Sequence, residues 1–487
     1  MHSLEQAEIL FEPMMLAPSS NAAGLLRVIS PFDQQPIADV ETCNATHIDK
    51  ALQIAWQLFR NRDQWLSLHQ RIDILERTAQ QMEKDHESLT RLAVREGGKP
   101  YRDSQVEVTR AIDSVRLCVD TLRSDAGYVV PMGTTRASGS RFAFTQKEPI
   151  GVVVAVSAFN HPLNLIVHQV AAAVAAGCPI IVKPADDTPL SCLEFVRILH
   201  QAGLPSDWCR ALIPKDIATA EKLVTDARVA FFSFIGSARV GWMLRSKLAP
   251  GTRCALEHGG AAPVILTDDF DHKLATASIL KGGFYHAGQV CVSVQRVFVP
   301  RQIALEFAEN LAQQATLLTV GDPLNPDTDI GPLIRPTEVT RVHDWVNQAV
   351  DAGAKLLSGG EPLGDNCYPC TVLFDPPADV KVSQSEIFGP VVCIYPYDDL
   401  DDAIDRANGL PVAFQAAVFS NSINLAMRVY RRLNASAVMV NDHTAFRIDG
   451  MPFAGLNESG LGVGGIPHTI EDMQIEKMMV MHSTELS

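Results

Sequence analysis

From residue 151 to residue 257 the chain alternates short apolar runs with segments of helical periodicity, and this alternation limits the possible folds more than any other feature of the sequence. The apolar runs predict buried strands at 151–158, 180–183, 211–214, 229–235 and 253–257. The segments between them predict helices at 162–176, 189–202, 217–226 and 237–248. Strands and helices that alternate in this way form parallel βαβ units. This part of the chain therefore predicts a doubly wound α/β sheet.

The alternation begins again after residue 260. Apolar runs predict further strands at 263–266, 297–299, 391–395, 415–419 and 437–440. A chain of 487 residues is also too long for one ordinary hydrophobic core. We therefore expect a second α/β domain. Nearer the N-terminus, 46–60 and 71–87 predict long exposed helices, and 131–147 predicts an exposed hairpin.

Composition limits the kinds of partner. A formal net charge of −15 argues against non-specific binding to nucleic acid. The first twenty residues contain no basic segment of the kind that opens a signal peptide, so none is expected. The longest apolar run, 163–182, is divided by Gly177 and Pro179, which favours a core helix followed by a core strand over a membrane span.

The pattern of cysteines indicates a reducing compartment and argues against a metal site. Ten of them are scattered without the spacing of a disulfide scaffold, which favours a reducing, cytoplasmic location. Cys367 and Cys370 form a CxxC, but no second CxxC or histidine pair accompanies them. We expect a loop that enters a strand at this position, and no metal site.

Three segments carry potential catalytic groups. Segment 284–291 (FYHAGQVC) ends in Cys291, and segment 256–260 (LEHGG) places Glu257 beside two glycines. A thiolate attacks a carbonyl carbon, and a carboxylate activates the water that later releases the product. Asn160, after the first strand, has an amide that suits a developing oxyanion, although it also suits the N-cap of the next helix. The set predicts covalent catalysis on a carbonyl compound, while a cysteine taken alone is more often a buried hydrophobe.

Two further segments predict a nucleotide site. Gly236, Ser237 and Gly241 lie in a turn from a strand into a helix, where free N–H groups hold a pyrophosphate; a plain strand-to-helix turn has the same pattern. Lys183 and Asp186 follow another parallel strand, at the end where ligands bind. They are placed to bracket the hydroxyls of a ribose, or alternatively form a solvated pair.

Together these segments resemble the aldehyde dehydrogenase superfamily over nearly the whole chain, in an order and spacing that are specific to it. The resemblance implies that Cys291 is the nucleophile, Glu257 the general base and Asn160 the oxyanion ligand. The Cys291 thiolate would attack an aldehyde to give a thiohemiacetal, whose oxyanion is stabilised by the Asn160 amide and the Cys291 backbone N–H. Loss of hydride to the nicotinamide leaves a thioester, which water activated by Glu257 hydrolyses to a carboxylate. Because CoA-acylating members lack this glutamate, hydrolysis is expected rather than transfer to CoA.

The resemblance also implies which residues hold the cofactor. Lys183 matches the family's ribose-binding lysine, and Asp186 stands where many members have glutamate. A carboxylate at this position repels a 2′-phosphate, so NAD is expected rather than NADP. The other matched positions are Gly236, Ser237 and Gly241 in the cofactor turn and Glu386 and Phe388 at the nicotinamide ribose.

The family's fold has two doubly wound α/β domains and a small β oligomerisation element. Carried over to this sequence, it predicts an NAD-binding domain from 1–128 and 148–258 and a catalytic domain at 259–468. The oligomerisation element is predicted from 129–147 and 469–487. The resemblance implies a homodimer or a homotetramer, with no nucleic-acid or membrane partner.

The C-terminal segment 440–455 is similar to family members that act on small polar aldehydes, including lactaldehyde, glycolaldehyde and phosphonoacetaldehyde. Arg110, His161 and Arg447 predict a cationic pocket for an anionic substituent, with Phe453 beside them. The alternative is that Arg447 pairs with a nearby acid such as Asp449 while Arg110 lies on a solvated helix.

One departure leaves the substrate open. Members that act on phosphorylated or phosphonate aldehydes often carry arginine immediately before the nucleophile, where this chain has Val290. A sulfonate, a carboxylate or a small hydroxyaldehyde therefore stays in contention. A broad detoxification enzyme would instead have a wide apolar pocket. An idle relative would have lost one of the three catalytic groups, and all three are present.

Overall fold

The computed structural model describes residues 9–15, 21–364 and 366–486. The described chain begins with a small three-stranded sheet in the order β1, β3, β2. Its strands are β1 (Leu10–Glu12), β2 (Gly24–Ile29) and β3 (Pro36–Thr42). Four helices follow, α1 (Ala45–Arg60), α2 (Leu68–Lys84), α3 (His86–Gly97) and α4 (Tyr101–Ser124).

The predicted extent of the second N-terminal helix, 71–87, was wrong. The segment 71–87 contains a break at Asp85, where α2 ends and α3 begins. The Asp85 carboxylate accepts a hydrogen bond from the Gln81 side chain at 2.7 Å. The Asp85 carbonyl accepts from Ser88 Oγ at 2.8 Å, and the Asp85 backbone, at φ −93° and ψ 13°, lies outside the helical region. A side-chain hydroxyl that bonds the backbone in this way competes with the helix ladder.

The hairpin predicted at 131–147 is also different in the structure. Its first half holds turns and one short 3₁₀ helix, and its second half belongs to β5 (Arg141–Pro149), which follows β4 (Val129–Val130). Only two residues of β4 pair with β5. The longer partner of β5 is the C-terminal strand described below, which sequence periodicity could not identify because it lies more than 320 residues away.

The doubly wound sheet predicted from residue 151 is confirmed. Its elements are β6 (Val152–Val156), α5 (Asn164–Ala176), β7 (Ile180–Lys183), α6 (Leu190–Gln201), β8 (Cys209–Ala211), α7 (Ile217–Thr225), β9 (Val229–Ile235), α8 (Ala238–Arg245) and β10 (Arg253–Glu257). The strands are parallel in the order β10, β9, β6, β7, β8. β8 begins two residues earlier than predicted, because Pro214 leaves this sheet to form a bridge with Cys43.

A second parallel sheet follows, as predicted. The elements of this part of the chain are β11 (Ala262–Leu266), α9 (His272–Phe284), β12 (Val294–Pro300), α10 (Arg301–Ala315), α11 (Pro336–Asp351), β13 (Lys355–Ser358), β14 (Thr371–Phe374), α12 (Lys381–Gln384), β15 (Val391–Tyr397), α13 (Leu400–Asn408), β16 (Val412–Ala413), β17 (Gln415–Phe419), α14 (Ile423–Arg432) and β18 (Ala437–Val440), of which β16 lies outside the sheet in a separate two-stranded ladder. The strand order is β13, β14, β15, β12, β11, β17, β18, with β13 antiparallel. The CxxC leads directly into β14, as expected of a loop that enters a strand.

The chain then returns to the first sheet. Its last elements are β19 (Leu456–Asn457), β20 (Gly460–Leu461), α15 (Ile466–Asp472) and β21 (Gln474–His482). β20 joins β10 as an antiparallel edge, and β21 pairs with β5 along all nine of its residues. The domain boundaries proposed above stay a prediction.

Each large sheet has its own hydrophobic core. Val153, Val170 and Phe195 belong to the core around the first sheet, and Val264 and Phe298 to the core around the second. The apolar run 163–182 forms α5 and β7, both buried inside the first core. In the part of the chain that the structure describes, no helix combines the length and apolar character needed to cross a bilayer.

Candidate active site

One cleft of about 1220 Å³ collects almost all of the residues predicted to be functional. It is lined by Arg110, Asn160, His161, Lys183, Asp186, Gly236, Ser237, Glu257, Cys291, Glu386, Phe388, Arg447 and Phe453. Gly241 is the exception, because it packs under His258, where an added Cβ would lie 2.0 Å from the His258 ring. The cleft lies at the carboxyl ends of β6, β7, β9 and β10, where open α/β sheets bind their ligands.

A tight turn presents Cys291 between α9 and β12. His286, Ala287 and Gly288 have φ values of 50°, 53° and 69°. Consecutive left-handed residues are costly, and such conformations cluster at active sites. At Gly288 a Cβ would lie 2.1 Å from the Gly389 carbonyl oxygen, so only glycine fits there.

Gln289 fixes this turn, and the sequence argument had assigned it no role. Its side-chain oxygen accepts from the Ile334 N–H at 3.0 Å, and its nitrogen donates to the carbonyls of His286 and Pro332 at 3.3 Å. The side chain is 1% exposed. A buried glutamine within a motif that ends in a reactive cysteine is the signal that could have identified it.

The environment of Cys291 favours the protonated sulfur. Burial, together with the neighbouring carboxylates of Glu386 and Glu257, raises the pKa of the Cys291 thiol to about 12, while the Arg447 guanidinium acts in the opposite direction. A base or a bound positive charge must therefore help to form the thiolate before it attacks.

Asn160 is positioned by the nucleophile segment. Its Nδ2 donates to the Gln289 carbonyl oxygen at 2.9 Å, which leaves the second amide hydrogen for another acceptor. The alternative role as a helix cap is wrong, because α5 begins at Asn164. The free N–H groups of Leu163 and Asn164 are instead bound by Glu107 Oε1 at 3.0 Å each.

Glu257 ends β10 at the floor of the cleft. A Cβ on Gly464 would lie 2.3 Å from Glu257 Oε1, so glycine permits the carboxylate to occupy this place. Burial raises the pKa of Glu257, and the nearby Arg447 lowers it. A carboxylate with a raised pKa is a better base at neutral pH than an exposed one.

The cofactor groups predicted from the sequence lie along one wall. Lys183 Nζ binds Asp186 Oδ1 at 2.6 Å and the Pro184 carbonyl at 2.9 Å. Ser237 is the N-cap residue of α8 and makes no side-chain capping bond, as expected of a helix start that receives an anionic ligand.

Glu386 and Phe388 face this wall from the second sheet. Glu386 Oε1 accepts from the Gly260 N–H at 3.3 Å, and burial raises the pKa of Glu386 to about 8. Phe388 has a φ of 49° and an edge-on contact with Phe159 at 5.8 Å. An open helix start, a lysine and a carboxylate along one groove fit a dinucleotide that spans the two sheets.

The residues predicted to bind the substrate differ in whether they carry a charge and whether a carboxylate pairs with it. Asp449 accepts from Arg110 Nη2 at 2.7 Å and from Arg110 Nε at 3.0 Å. Burial and nearby cations hold the pKa of His161 well below 6.5, so His161 is neutral. Two nitrogens of Arg447, Nε and Nη2, are buried without a hydrogen-bond partner among the described residues. The Arg447 guanidinium lies 3.6 Å from the centroid of the Phe453 ring. Asp449 thus pairs with Arg110, not with Arg447.

Two doubly wound sheets that share a deep cleft with charged side chains define an α/β enzyme. Residues 18–479 match the family model described as the aldehyde dehydrogenase family. A 3-sulfolactaldehyde dehydrogenase of Priestia aryabhattai is 35% identical over 457 residues, 94% of this chain and 95% of that protein. The chain belongs to the aldehyde dehydrogenase family, and the predicted class of enzyme, an NAD(P)-dependent aldehyde dehydrogenase, is confirmed.

Solved structures agree with this assignment. Aldehyde dehydrogenase 21 from Physcomitrella patens, in complex with the reaction product succinate, has a TM-score of 0.93 and 31% identity, covering 98% of this chain and 99% of that one. Glyceraldehyde-3-phosphate dehydrogenase from Methanocaldococcus jannaschii, complexed with NADP, has a TM-score of 0.89 and 32% identity, covering 95% and 100%. The predicted fold class is therefore confirmed.

Proposed function

We propose that the protein oxidises a small aldehyde that carries an anionic substituent, with Cys291 as nucleophile and Arg447 as the ligand of the anion. The observation that carries this proposal is the unpaired Arg447 guanidinium beside Cys291 and Glu257. A buried charge without a partner is costly, so an anion that binds it gains an unusually strong interaction. The P. aryabhattai relative is named for a sulfonated aldehyde, and the P. patens enzyme holds succinate, both anionic.

The neighbours of Arg447 suit a substrate of this kind. The Phe453 ring packs against the Arg447 guanidinium at 3.6 Å, and both residues line the cleft. Phe453 in turn packs against Phe414, with ring centroids 4.4 Å apart and the ring planes tilted by 45°. Arg447 and Cys291 line the same cleft, so a two- or three-carbon aldehyde would place its carbonyl near the sulfur while its anion meets the guanidinium.

The chain's own groups account for the proposed steps. Loss of the thiol proton lets Cys291 attack the aldehyde carbon, and the free amide hydrogen of Asn160 stabilises the resulting oxyanion. A bound nicotinamide nucleotide supplies the acceptor for the hydride. Glu257 then takes a proton from water, which attacks the thioester carbon, and Cys291 leaves as the carboxylate product is released.

NAD is the proposed cofactor. Asp186 Oδ1 neutralises Lys183, and the second oxygen of Asp186 remains to accept a ribose hydroxyl. A 2′-phosphate would meet this carboxylate with like charge. We expect Asp186→Ser to improve kcat/KM with NADP and to weaken the use of NAD. An unchanged ratio would remove Asp186 from the explanation, and Asp125→Asn, far from the cleft, is the matched control.

We also propose that the enzyme is a cytoplasmic homodimer or homotetramer. All ten cysteines are free, as a reducing compartment requires. The exposed strand β21 supports the assembly, as argued in the Discussion.

An aldehyde panel tests the proposed substrate class. NADH formation would be compared for sulfoacetaldehyde, succinate semialdehyde, phosphonoacetaldehyde, lactaldehyde, glycolaldehyde and propanal. We expect the anionic aldehydes to have the highest kcat/KM, and Arg447→Met to remove this preference while propanal oxidation persists. Equal or better rates on propanal with the wild-type enzyme would instead support a broad detoxification enzyme.

A further inference from the structure

Asp449 is the most heavily bonded carboxylate near the cleft, and the catalytic steps do not use it. Its Oδ1 accepts from Arg110 Nη2 at 2.7 Å, from His168 Nε2 at 2.7 Å and from Asn164 Nδ2 at 3.1 Å. Its Oδ2 accepts from Arg110 Nε at 3.0 Å. Three donors meet Oδ1 and one meets Oδ2, so most of the acceptor capacity of this carboxylate is occupied. Neither Nε nor Nη2 of Arg447, two residues earlier in the chain, donates to Asp449.

The arrangement determines which cationic side chains beside the substrate are free to bind an anion. Arg110 and Arg447 both line the cleft, but the bidentate pair with Asp449 cancels the charge of Arg110. His161 and His168 are buried and neutral, so neither adds a positive charge. Val290, beside the nucleophile, adds none either. Of the two arginines, Arg110 is bonded to a carboxylate, whereas Nε and Nη2 of Arg447 have no hydrogen-bond partner among the described residues.

We infer that Asp449 is a specificity-determining residue: by holding Arg110, it leaves Arg447 as the one guanidinium free to bind the anion, so that the pocket selects a monoanionic aldehyde over a dianionic one. The inference rests on the proposed function and narrows its substrate class to sulfonates and carboxylates. A phosphonate or phosphate near pH 8 carries about two charges. Its second charge would need a second free guanidinium beside Arg447, and Arg110 is already bonded to Asp449.

Substitutions that change the charge at Arg110 and at Asp449 test how many positive charges the pocket offers to a substrate. Asp449→Asn releases Arg110 and gives the pocket two positive charges, and Arg110→Met leaves Asp449 to cancel Arg447. The double variant Arg110→Met/Asp449→Asn restores a single charge. The readout is the ratio of kcat/KM for sulfoacetaldehyde to kcat/KM for phosphonoacetaldehyde at pH 8, with succinate semialdehyde as a second monoanion and propanal as the neutral reference.

The inference predicts a different outcome for each variant. Asp449→Asn should lower the sulfoacetaldehyde-to-phosphonoacetaldehyde ratio by about tenfold, mainly through KM for the dianion, which is the scale of one added charge a few ångströms away. Arg110→Met should weaken all anionic aldehydes relative to propanal. The double variant should return the ratio towards its wild-type value, a rescue that a purely structural role would not give.

The controls distinguish a failure of this inference from a failure of the proposed function. Asp125→Asn removes a half-buried ion pair with Lys147, at 2.5 Å, away from the cleft and should leave the ratio unchanged. If Asp449→Asn alone does not fold, Arg110→Met still tests the inference, because it should weaken anionic aldehydes relative to propanal, and an unchanged preference would overturn it. A wild-type enzyme that prefers propanal would overturn the proposed function. A wild-type preference for anions with a ratio that no Asp449 variant changes would overturn only this inference.

Discussion

Cys291 shares its end of the cleft with two carboxylates and one guanidinium, and these charges oppose each other. The carboxylates and burial hold the sulfur protonated, whereas Arg447 favours the thiolate. An anionic substrate that neutralised Arg447 would remove this support, so the thiol proton must leave through Glu257 or water. A thiol with a raised pKa is protonated at neutral pH and is therefore protected from unwanted oxidation.

The first prediction concerns this sulfur. Cys291→Ala should abolish aldehyde oxidation, because no other nucleophile occupies its place, while NAD binding measured by calorimetry should persist. Cys254→Ala is the matched control, since Cys254 is a partly buried thiol that does not line the cleft. Residual oxidation by Cys291→Ala would exclude Cys291 as the nucleophile.

Glu257 gives a prediction about pH. Only the ionised carboxylate can accept a proton, and burial raises its pKa, so the thioester hydrolysis rate should fall as the pH falls through that raised value. Glu257→Gln should produce a burst of NADH comparable to the enzyme concentration and then stall. Rapid-mixing absorbance at several pH values checks both points. Steady turnover by this variant, with an unchanged pH profile, would assign the base elsewhere.

At the scale of elements, two helices of the first sheet obtain their caps from other helices. The Glu96 oxygens on α3 accept from the N–H groups of Leu190 and Ser191 at 2.7 and 2.8 Å, at the start of α6. Glu107 on α4 likewise accepts from the N–H groups of Leu163 and Asn164 at the start of α5. Neither α5 nor α6 has a side-chain cap of its own. The N-terminal helices therefore fix the helix that follows Asn160.

Glu96→Gln should weaken this contact. The amide nitrogen of glutamine cannot accept a hydrogen bond, so one buried N–H group of α6 loses its partner, at a cost of about 1–3 kcal/mol in the free energy of unfolding. Thermal unfolding followed by circular dichroism would show a lower Tm. Glu87→Gln, an exposed residue paired with Arg91, is the control. Equal Tm values for the two variants would contradict the capping role.

These caps between helices are also an example of contacts that could not be predicted from the sequence. The parallel strands were predictable because continuous apolar runs of strand length leave little choice of structure. The partners of Glu96 and Glu107 lie 56 to 95 residues away, at distances that local periodicity does not report. For the same reason the sequence suggested Asp449 as a partner of the nearby Arg447, whereas folding brings Arg110 to it from 339 residues away. β13 was not predicted, because its sequence KLLS is mostly exposed and gives no continuous apolar run.

At the scale of the whole molecule, the three-stranded sheet of β21, β5 and β4 is poorly covered. β21 forms its edge, and residues 475–482 are exposed on both faces. The exposed side chains include Met478, Met479 and Val480, between 47% and 54% accessible. A small sheet with solvent on both faces is marginally stable, and an open apolar edge invites pairing. A chain of charge −15 repels a second copy, so a stable assembly needs an apolar contact of this kind.

We therefore expect the double variant Met479→Lys/Val480→Lys to dissociate the oligomer, because two lysines per subunit would bring like charges into an apolar interface. Analytical ultracentrifugation of the wild-type and variant enzymes at the same concentration measures the change in mass. Leu317→Lys is the control, since Leu317 is 70% exposed after α10, far along the chain from β21. A variant that keeps the wild-type mass would place the interface elsewhere, and a monomeric wild-type enzyme would contradict the predicted assembly. Dissociation with a lower Tm would further show that β21 depends on its partner for stability, because the isolated sheet cannot cover its own faces.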